Sequence, residues 1–515
     1  MHKIRKHIRW VAGTALLAAL LIYPGPVRIA GAAQQAYNKI MVFTVLLDKI
    51  ERFYVETKDP NTLIDHAIKG VLTALDPYSL YLSVEEFRAF KSTYQSYQGI
   101  GLTFDRLPEK LLVTATVTGG PAAEAGVRPG DKIIRVGNKL AHFLSDEDLR
   151  RLLQEAVVRL EIEREGNRDL LVFALSKRAI TPQTITSAFM FNDSAAFIKI
   201  NRFTERTPLE LDQAISRLRP AAPRYLILDL RDNGGGDLQA GIKVVDRFLT
   251  PGKMIAFTRG RGPGANMEFT SGNENKYPLM PTILLVNGGS ASDAEIVTGA
   301  LQDWERVLVV GQPTFGKALV QSEFPFQDGS ALLLTTARFY TPLGRSLDRM
   351  TTDGQGTTGL RATATAAAYV RTASGRLLPA TGSIVPDVLV PEDTLSYSPA
   401  LRTILAAEEN PLAVFCETYA AAHPELARQR DHFIRQFQVS ETLLRDFQIM
   451  TKQMGARFSP ADLQKNRDTL RLLIKREVAA MLWGEEARAM VTLLADAQAQ
   501  ACNRYWMRAA ALVQR

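Results

Sequence analysis

Cysteine is almost absent. Cys416 and Cys502 are the two in 515 residues, and neither belongs to a C-x-x-C pair or a mixed Cys/His cluster, which argues against a zinc site. In an exported chain they could pair; otherwise they are two buried free thiols. Histidine is scarce as well. The six are His2, His7, His66, His142, His423 and His432, so none lies between residues 143 and 422. A Ser-His-Asp triad built within that stretch is excluded, and a nucleophile there needs another base. A concentrated basic face is also missing. The formal charge is +8, but Lys3, Arg5, Lys6, Arg9 and Arg28 sit in the first 32 residues and no long Lys/Arg stripe follows. Nucleic-acid binding relies on such a stripe, so no nucleic-acid partner is expected. No repeat of fixed period is present, and no cofactor or metal is expected.

What is present begins with the leader. Met1 to Arg9 is basic, Trp10 to Tyr23 is apolar, Pro24 ends the run, and Ala30-Gly31-Ala32 supplies small residues. A basic head, a short apolar middle and an A-x-A end describe a secretory signal over 1–32. The apolar run has 14 residues, short for the roughly 30 Å of hydrocarbon in a bilayer. The segment is therefore expected to be cleaved or to act as a single anchor. In both cases the remainder is exported, to the periplasm or to the periplasmic face of the inner membrane. No later segment is apolar enough to span a membrane.

Four further regions follow. Residues 33–95 read as helical, with apolar residues at helical spacing in "NKIMVFTVLLDKIERFYV" and "VEEFRAF" after the turn-rich "DPYSLYLS". Residues 96–178 change period: "GIGLTF", "KLLVTATV", "DKIIRVG" and "VVRLEIERE" read as strands, "PAAEAG" and "SDEDLRRLLQEA" as helices. Residues 179–394 read as α/β. "AAFIKI", "RYLILDL", "TILLV" and "RVLVV" are continuous apolar runs suited to strands buried on both faces of a parallel sheet. "TPLELDQAISRLR", "DLQAGIKVVDRFL" and "DAEIVTGALQD" are the intervening helices, which makes βαβ units. "TTDGQGTTGLRATATAAA" is a low-complexity insert. Residues 395–515 read as helical throughout, without evident chemistry. The fold class is thus α/β multidomain, a parallel-sheet core with smaller domains and helical ends.

Three strands run into glycine-rich turns: "RYLILDL" into Arg231-Asp232-Asn233-Gly234-Gly235-Gly236, "TILLV" into Asn287-Gly288-Gly289-Ser290-Ala291-Ser292, and "RVLVV" into Gly311 to Lys317. Parallel strands with helical crossovers put their C-terminal ends on one edge, where ligand sites of open α/β sheets lie. Ser292 and Lys317 can meet there. A serine hydroxyl needs a base, and a lysine serves when its surroundings disfavour the charged amine. If "GKALVQ" runs as a strand, Gln321 shares a face with Lys317 and can orient its amine. Backbone N–H groups would hold an oxyanion, with Asp293 at a helix start and Gly234 and Gly235 in the neighbouring turn as candidates. Taken singly, Ser292-Asp293-Ala294-Glu295 fits a capping box, Lys317 fits a solvated loop lysine, and the glycines fit ordinary connectors. Gly311 to Ala318 also reads G-x-x-x-x-G-K-A, one residue short of a phosphate-binding loop. Ala318 replaces the Ser or Thr that would hold magnesium, and a strand pattern follows where a helix is needed.

Taken together, "LDPYSLYLS", "PAAEAGVRPGDKIIRVG", "LDLRDNGGG", "LLVNGGSASDAEIVTGALQD", "VGQPTFGKALVQ", "LTTARFYTPLGRS" and "IVPDV" resemble, in order, the C-terminal processing peptidases, or tail-specific proteases, over residues 38–390. The resemblance implies a PDZ domain over 96–178 and a serine peptidase core over 179–394. It puts the nucleophile at Ser292, the general base at Lys317 and the supporting amide at Gln321. Three departures stand out: Asp293-Ala294-Glu295 where Ala-Ser-Glu is usual, Ala318 for a common glycine, and no glycine turn near "LLQEAVVRLEI". In the PDZ domain, Gly99, Ile100, Gly101 and Leu102 would grip the carboxylate of a free, apolar substrate tail while the peptide adds a strand. A non-catalytic PDZ-containing binding protein on the same fold is the alternative reading. Protein substrates, an inner-membrane tether, and a second copy or an activating partner at the C-terminal extension are the expected partners.

Overall fold

The computed structural model describes residues 26–94, 97–106, 111–117, 119–128, 130–164, 169–180, 183–349, 369–392, 397–407 and 410–514. The apolar run of the leader and the whole low-complexity insert lie outside the described residues. The chain forms two compact units, 1–81 and 82–515. In the first, helices span Pro26–Phe53 and Pro60–Leu72. Asp59 caps the second, accepting from the Asn61 and Thr62 N–H groups at 3.1 and 3.3 Å, with Pro60 pre-set for the first turn. Among the described residues, no helix is long and apolar enough to cross a membrane.

The second unit opens with a helix at Val84–Tyr94 and then a small antiparallel domain. Strand Val157–Glu163 shows why it folds: Val158, Leu160 and Ile162 are buried while their neighbours turn outward, the period-2 pattern of a half-buried strand. They join Val113, Ile133 and Leu175 in a core of their own. The chain enters and leaves side by side, Tyr97–Gly99 pairing with Arg178–Ile180. The helix at Asp146–Leu153 is capped by Ser145, whose Oγ accepts from the Asp148 N–H at 3.1 Å.

The core is a six-stranded sheet. In chain order its elements, with those packed around it, are β1 (Ile185–Met190), β2 (Ala195–Ile200), α1 (Thr207–Leu218), β3 (Tyr225–Asp229), α2 (Leu238–Asp246), β4 (Met254–Gly260), β5 (Thr282–Val286), α3 (Asp293–Asp303), β6 (Leu308–Gly311), β7 (Leu319–Pro325), β8 (Ala331–Tyr340) and β9 (Val388–Leu389). The sheet order is β1-β2-β3-β5-β6-β9. Only the β1–β2 pair is antiparallel; the other four pairs are parallel. A separate antiparallel sheet contains β4, β7 and β8. The βαβ order read from the apolar runs is the order found.

Alternate residues of the buried strands serve two cores. Leu226, Leu228, Leu284, Val286 and Val309 pack against α1, α2 and α3, through Leu211, Val244, Val297 and Leu301. Ile227, Ile283, Leu285, Leu308 and Val310 face the other way, onto helices drawn from residues 399 to 513. There Phe447 stands edge-on to Phe415 at 5.4 Å, and Trp506 stacks on Tyr225 of β3 at 4.9 Å. Cys416 and Cys502 are buried free thiols in this layer; burial pushes both well above the ordinary thiol range. The C-terminal helices are therefore the second wall of the core, a placement that their own sequence did not disclose.

Candidate active site

The three glycine-rich turns meet at one edge, held by polar side chains that the strands themselves present. Asn233 is fully buried. Its Nδ2 donates to the Ile200 carbonyl at 2.9 Å, its Oδ1 accepts from the Gly235 N–H at 2.9 Å, and its own carbonyl accepts from the Ala291 N–H at 2.9 Å. Asn287 ties the first turn to the second, exchanging bonds of 2.9 Å with the Asp232 N–H and carboxylate. The Ser290 hydroxyl donates to the Leu230 carbonyl at 2.8 Å, and the Ser290 carbonyl accepts from the Phe315 N–H at 2.9 Å. Buried turns of this kind are stable only when such groups are satisfied.

Ser292 stands at the N-terminus of α3 with φ 56° and ψ −116°. A non-glycine residue there is strained by about 1–3 kcal/mol, and such strain is typical of a residue thrust forward at a strand-to-helix turn. Gly235 makes room for it: a Cβ on Gly235 would lie 2.7 Å from the Ser292 Cβ. The capping box read from the sequence is present, both halves facing each other. Glu295 Oε2 accepts from the Ser292 N–H at 3.1 Å, but the Glu295 N–H, although facing the serine side chain, bonds to the Ser292 carbonyl at 2.8 Å.

Glu295 does more than cap. Its Oε1 accepts from Thr314 Oγ1 at 2.5 Å and from the Gly316 N–H at 2.8 Å, and its Oε2 also accepts from the Lys317 N–H at 2.8 Å. One buried carboxylate thus joins the serine elbow to the lysine loop. Burial pushes it above the ordinary carboxylate range, while these hydrogen bonds favour the ionised form. The residue reads from sequence as a helix cap, because three of its four partners lie about twenty positions downstream.

Lys317 precedes β7, and its Nζ donates to Gln321 Oε1 at 3.0 Å. The four-residue spacing puts both side chains on one face, as expected, with the strand pairing slipping a register between Val320 and Gln321. Ser292, Asp293, Lys317, Gln321, Gly234 and Gly236 border one cavity of about 670 Å³. Its apolar wall includes Phe203, Ile296, Leu319, Leu333 and Phe339.

The backbone groups are arranged less uniformly than the sequence suggested. Gly234 borders the cavity. The Gly235 N–H is engaged by Asn233 within the turn. The Gly236 N–H donates to the Asp293 carboxylate at 2.6 Å. Gly236 and Phe203 run alongside each other as a bridge, and a Cβ on Gly236 would fall 2.1 Å from the Phe203 carbonyl oxygen. At the root of the turn Arg231 makes a salt bridge to Asp229 at 2.8 Å. It reaches the C-terminal helices through Asp496 at 2.7 Å and Gln498 at 3.0 Å. Burial alone would raise the Asp229 carboxyl, but Arg231 and Lys199 hold it below its ordinary value.

The PDZ loop is separate from this cluster in sequence and in its bonds. Gly101 has φ +71°, which glycine adopts without strain. The Ile100 carbonyl accepts from the Ala122 N–H at 2.9 Å and the Gly101 carbonyl from the Val117 N–H at 3.0 Å. The Ile100 side chain is buried in the domain core, and Leu102 packs at its margin. The Ile100 side chain is therefore taken up by the domain core, and Gly99 is taken into the pairing with Arg178.

The family model for peptidase family S41 matches residues 194–354, and that for the PDZ domain matches residues 112–164. The carboxy-terminal-processing protease of Bartonella bacilliformis is 33% identical over 352 residues, covering 67% of this chain and 80% of that protein. The carboxy-terminal processing protease CtpA of Bacillus subtilis is 33% identical over 304 residues, covering 58% of this chain and 64% of that protein. The chloroplastic carboxyl-terminal-processing peptidase 2 of Arabidopsis thaliana is 32% identical over 300 residues, covering 55% and 58%. With its turns, its serine elbow and its PDZ domain, the chain belongs to the carboxy-terminal-processing proteases, serine-type endopeptidases of family S41.

Proposed function

We propose that the enzyme cuts protein substrates near their C-termini, with Ser292 as nucleophile and Lys317 as general base. The observation that carries this reading is the Lys317 amine bonded to Gln321 at 3.0 Å, on the cavity that also borders Ser292, in a core without histidine. In its neutral form the amine accepts the Ser292 hydroxyl proton as Oγ attacks the scissile carbonyl. Gln321 fixes the direction of the amine. Backbone N–H groups at the start of α3 and in the 234–236 turn receive the oxyanion. The protonated lysine then gives its proton to the leaving amine, and water hydrolyses the acyl-serine by the reverse sequence. The apolar wall of the cavity suits an apolar side chain before the cut. The PDZ domain docks the free tail through backbone groups of the 99–102 loop. The basic and apolar leader supports action outside the cytoplasm, in the periplasm or tethered to the inner membrane.

The test uses an unfolded substrate with a free apolar C-terminus and the same substrate amidated. The wild type should cleave the free form faster, and Ser292→Ala should cleave neither. Equal cleavage of both forms would remove the tail-docking part of the proposal; turnover by Ser292→Ala would remove the nucleophile.

A further inference from the structure

Asp293 follows the nucleophile, and the residue is buried, 4% exposed. The site is built for it. Across the contact α2 carries Gly241, where a Cβ would stand 3.3 Å from the Asp293 Cβ. The carboxylate accepts from the Gly236 N–H at 2.6 Å and interacts with the backbone N–H of Asp293 itself. Those two N–H groups flank Ser292. One belongs to the residue after the nucleophile at a helix start, where the helix dipole favours negative charge. The other lies in the glycine turn pressed against the serine, since the Cβ position of Gly235 is 3.1 Å from the Asp293 nitrogen. The Gly235 N–H is already engaged by Asn233. An oxyanion formed by attack of Ser292 needs two donors of this kind, and the Asp293 carboxylate is an anion hydrogen-bonded to one of them, the Gly236 N–H, and held beside the other.

We propose that the Asp293 carboxylate is a resident substitute for the oxyanion, occupying the Gly236 N–H donor beside Ser292 until it is neutralised or displaced, and so holding the peptidase back when ionised. The proposal rests on the reading of Ser292 as nucleophile and adds to it a regulatory residue. The charged groups around Asp293 are Asp237 at the N-cap of α2, Lys317 on the opposite loop, Glu295 on the same helix turn, and Glu205, Arg206, Lys91 and Glu323 along the same cavity. Burial pushes the Asp293 carboxyl up to about 6; the Gly236 bond and the Lys317 charge act against that rise, and the Asp237 charge adds to it. An acid with a raised value is neutral below it, so the anionic occupant is lost as pH falls through about 6. A neutral carboxyl is a weaker acceptor and easier for substrate to displace.

The experiment compares kcat/KM of wild type and Asp293→Ala on one peptide across pH. Because the Asp293 charge also acts on Lys317, the ratio is taken at equal fractions of neutral amine, read from each enzyme's own pH profile. Below pH about 5 the ratio should be near one. Above pH about 7 Asp293→Ala should be faster by at least about tenfold, since a single oxyanion donor is worth on the order of 10²–10³ in kcat. A ratio that is flat with pH, or an Asp293→Ala enzyme slower throughout, overturns the proposal and leaves the carboxylate as a support for the turn. Should Asp293→Ala fail to fold, as judged by its thermal transition, Asp293→Asn keeps the shape without the charge. It should show the same pH-dependent ratio with a smaller amplitude, and a flat ratio there is equally fatal. Ser292→Ala is measured alongside: residual turnover would overturn the nucleophile itself, an outcome distinct from a flat ratio with an inactive Ser292→Ala.

Discussion

The two faces of the central sheet are covered by different kinds of chain. On one face α1, α2 and α3 alternate with the strands they connect, so each strand and its covering helix are neighbours in sequence. On the other face the cover comes from helices after residue 399, far along the chain from β2 and β3. Both faces are buried and apolar. They differ in what reaches the candidate site. The first face delivers α3, whose N-terminus is Ser292. The second meets the catalytic edge through Arg231, gripped by Asp496 and Gln498. Packing alone therefore does not mark the functional side of a sheet; strained backbone and buried carboxylates do.

Substitutions on the two sides should separate these roles. The largest effect is expected at Gly236. With φ +150° and the Phe203 carbonyl 2.1 Å from a would-be Cβ, Gly236→Ala must part the turn from its neighbour. Loss of the donor geometry should lower kcat/KM by about 10² or more. The thermal transition should fall as well, because the displaced neighbour Phe203 is fully buried in the core, so kcat/KM is read on the folded fraction. Near-normal turnover by Gly236→Ala would mean that the turn does not serve the reaction. Phe447→Ala probes the other face. The side chain is fully buried between Phe415 and Phe458, and its removal should cost about 3–5 kcal/mol of stability. The kcat/KM of the folded fraction should change little. A large fall in that value with unchanged stability would reverse the contrast between the faces.

The same contrast shows what could be read from the chain. The meeting of Ser292, Lys317 and Gln321 at one cavity was legible because each lies in or just after a turn that ends a continuous apolar strand, and parallel topology brings such turns together. Asp293 was legible as a carboxylate beside the nucleophile, but its bond to Gly236 was not, since it depends on the path of a glycine turn 57 residues upstream. Glu295 was read as a helix cap. Its bonds to Thr314, Gly316 and Lys317 need the loop after β6 to fold back over α3, and no local pattern encodes that return. The C-terminal helices were legible as helices. Their seat on Ile227, Ile283 and Leu285 was not, because an apolar helical face fits any apolar surface of the right shape.

The central claim, that Lys317 is the base and not a fixed positive charge, is tested most directly by peptide turnover of Lys317→Arg. Arginine keeps the charge and cannot lose its proton in a protein. General-base assistance is worth roughly 10²–10⁴ in rate. Lys317→Arg should therefore be as inactive as Lys317→Ala, with both variants folded and still binding tail peptides. A Lys317→Arg enzyme that keeps a substantial fraction of the wild-type rate would contradict the account and make Lys317 an electrostatic support.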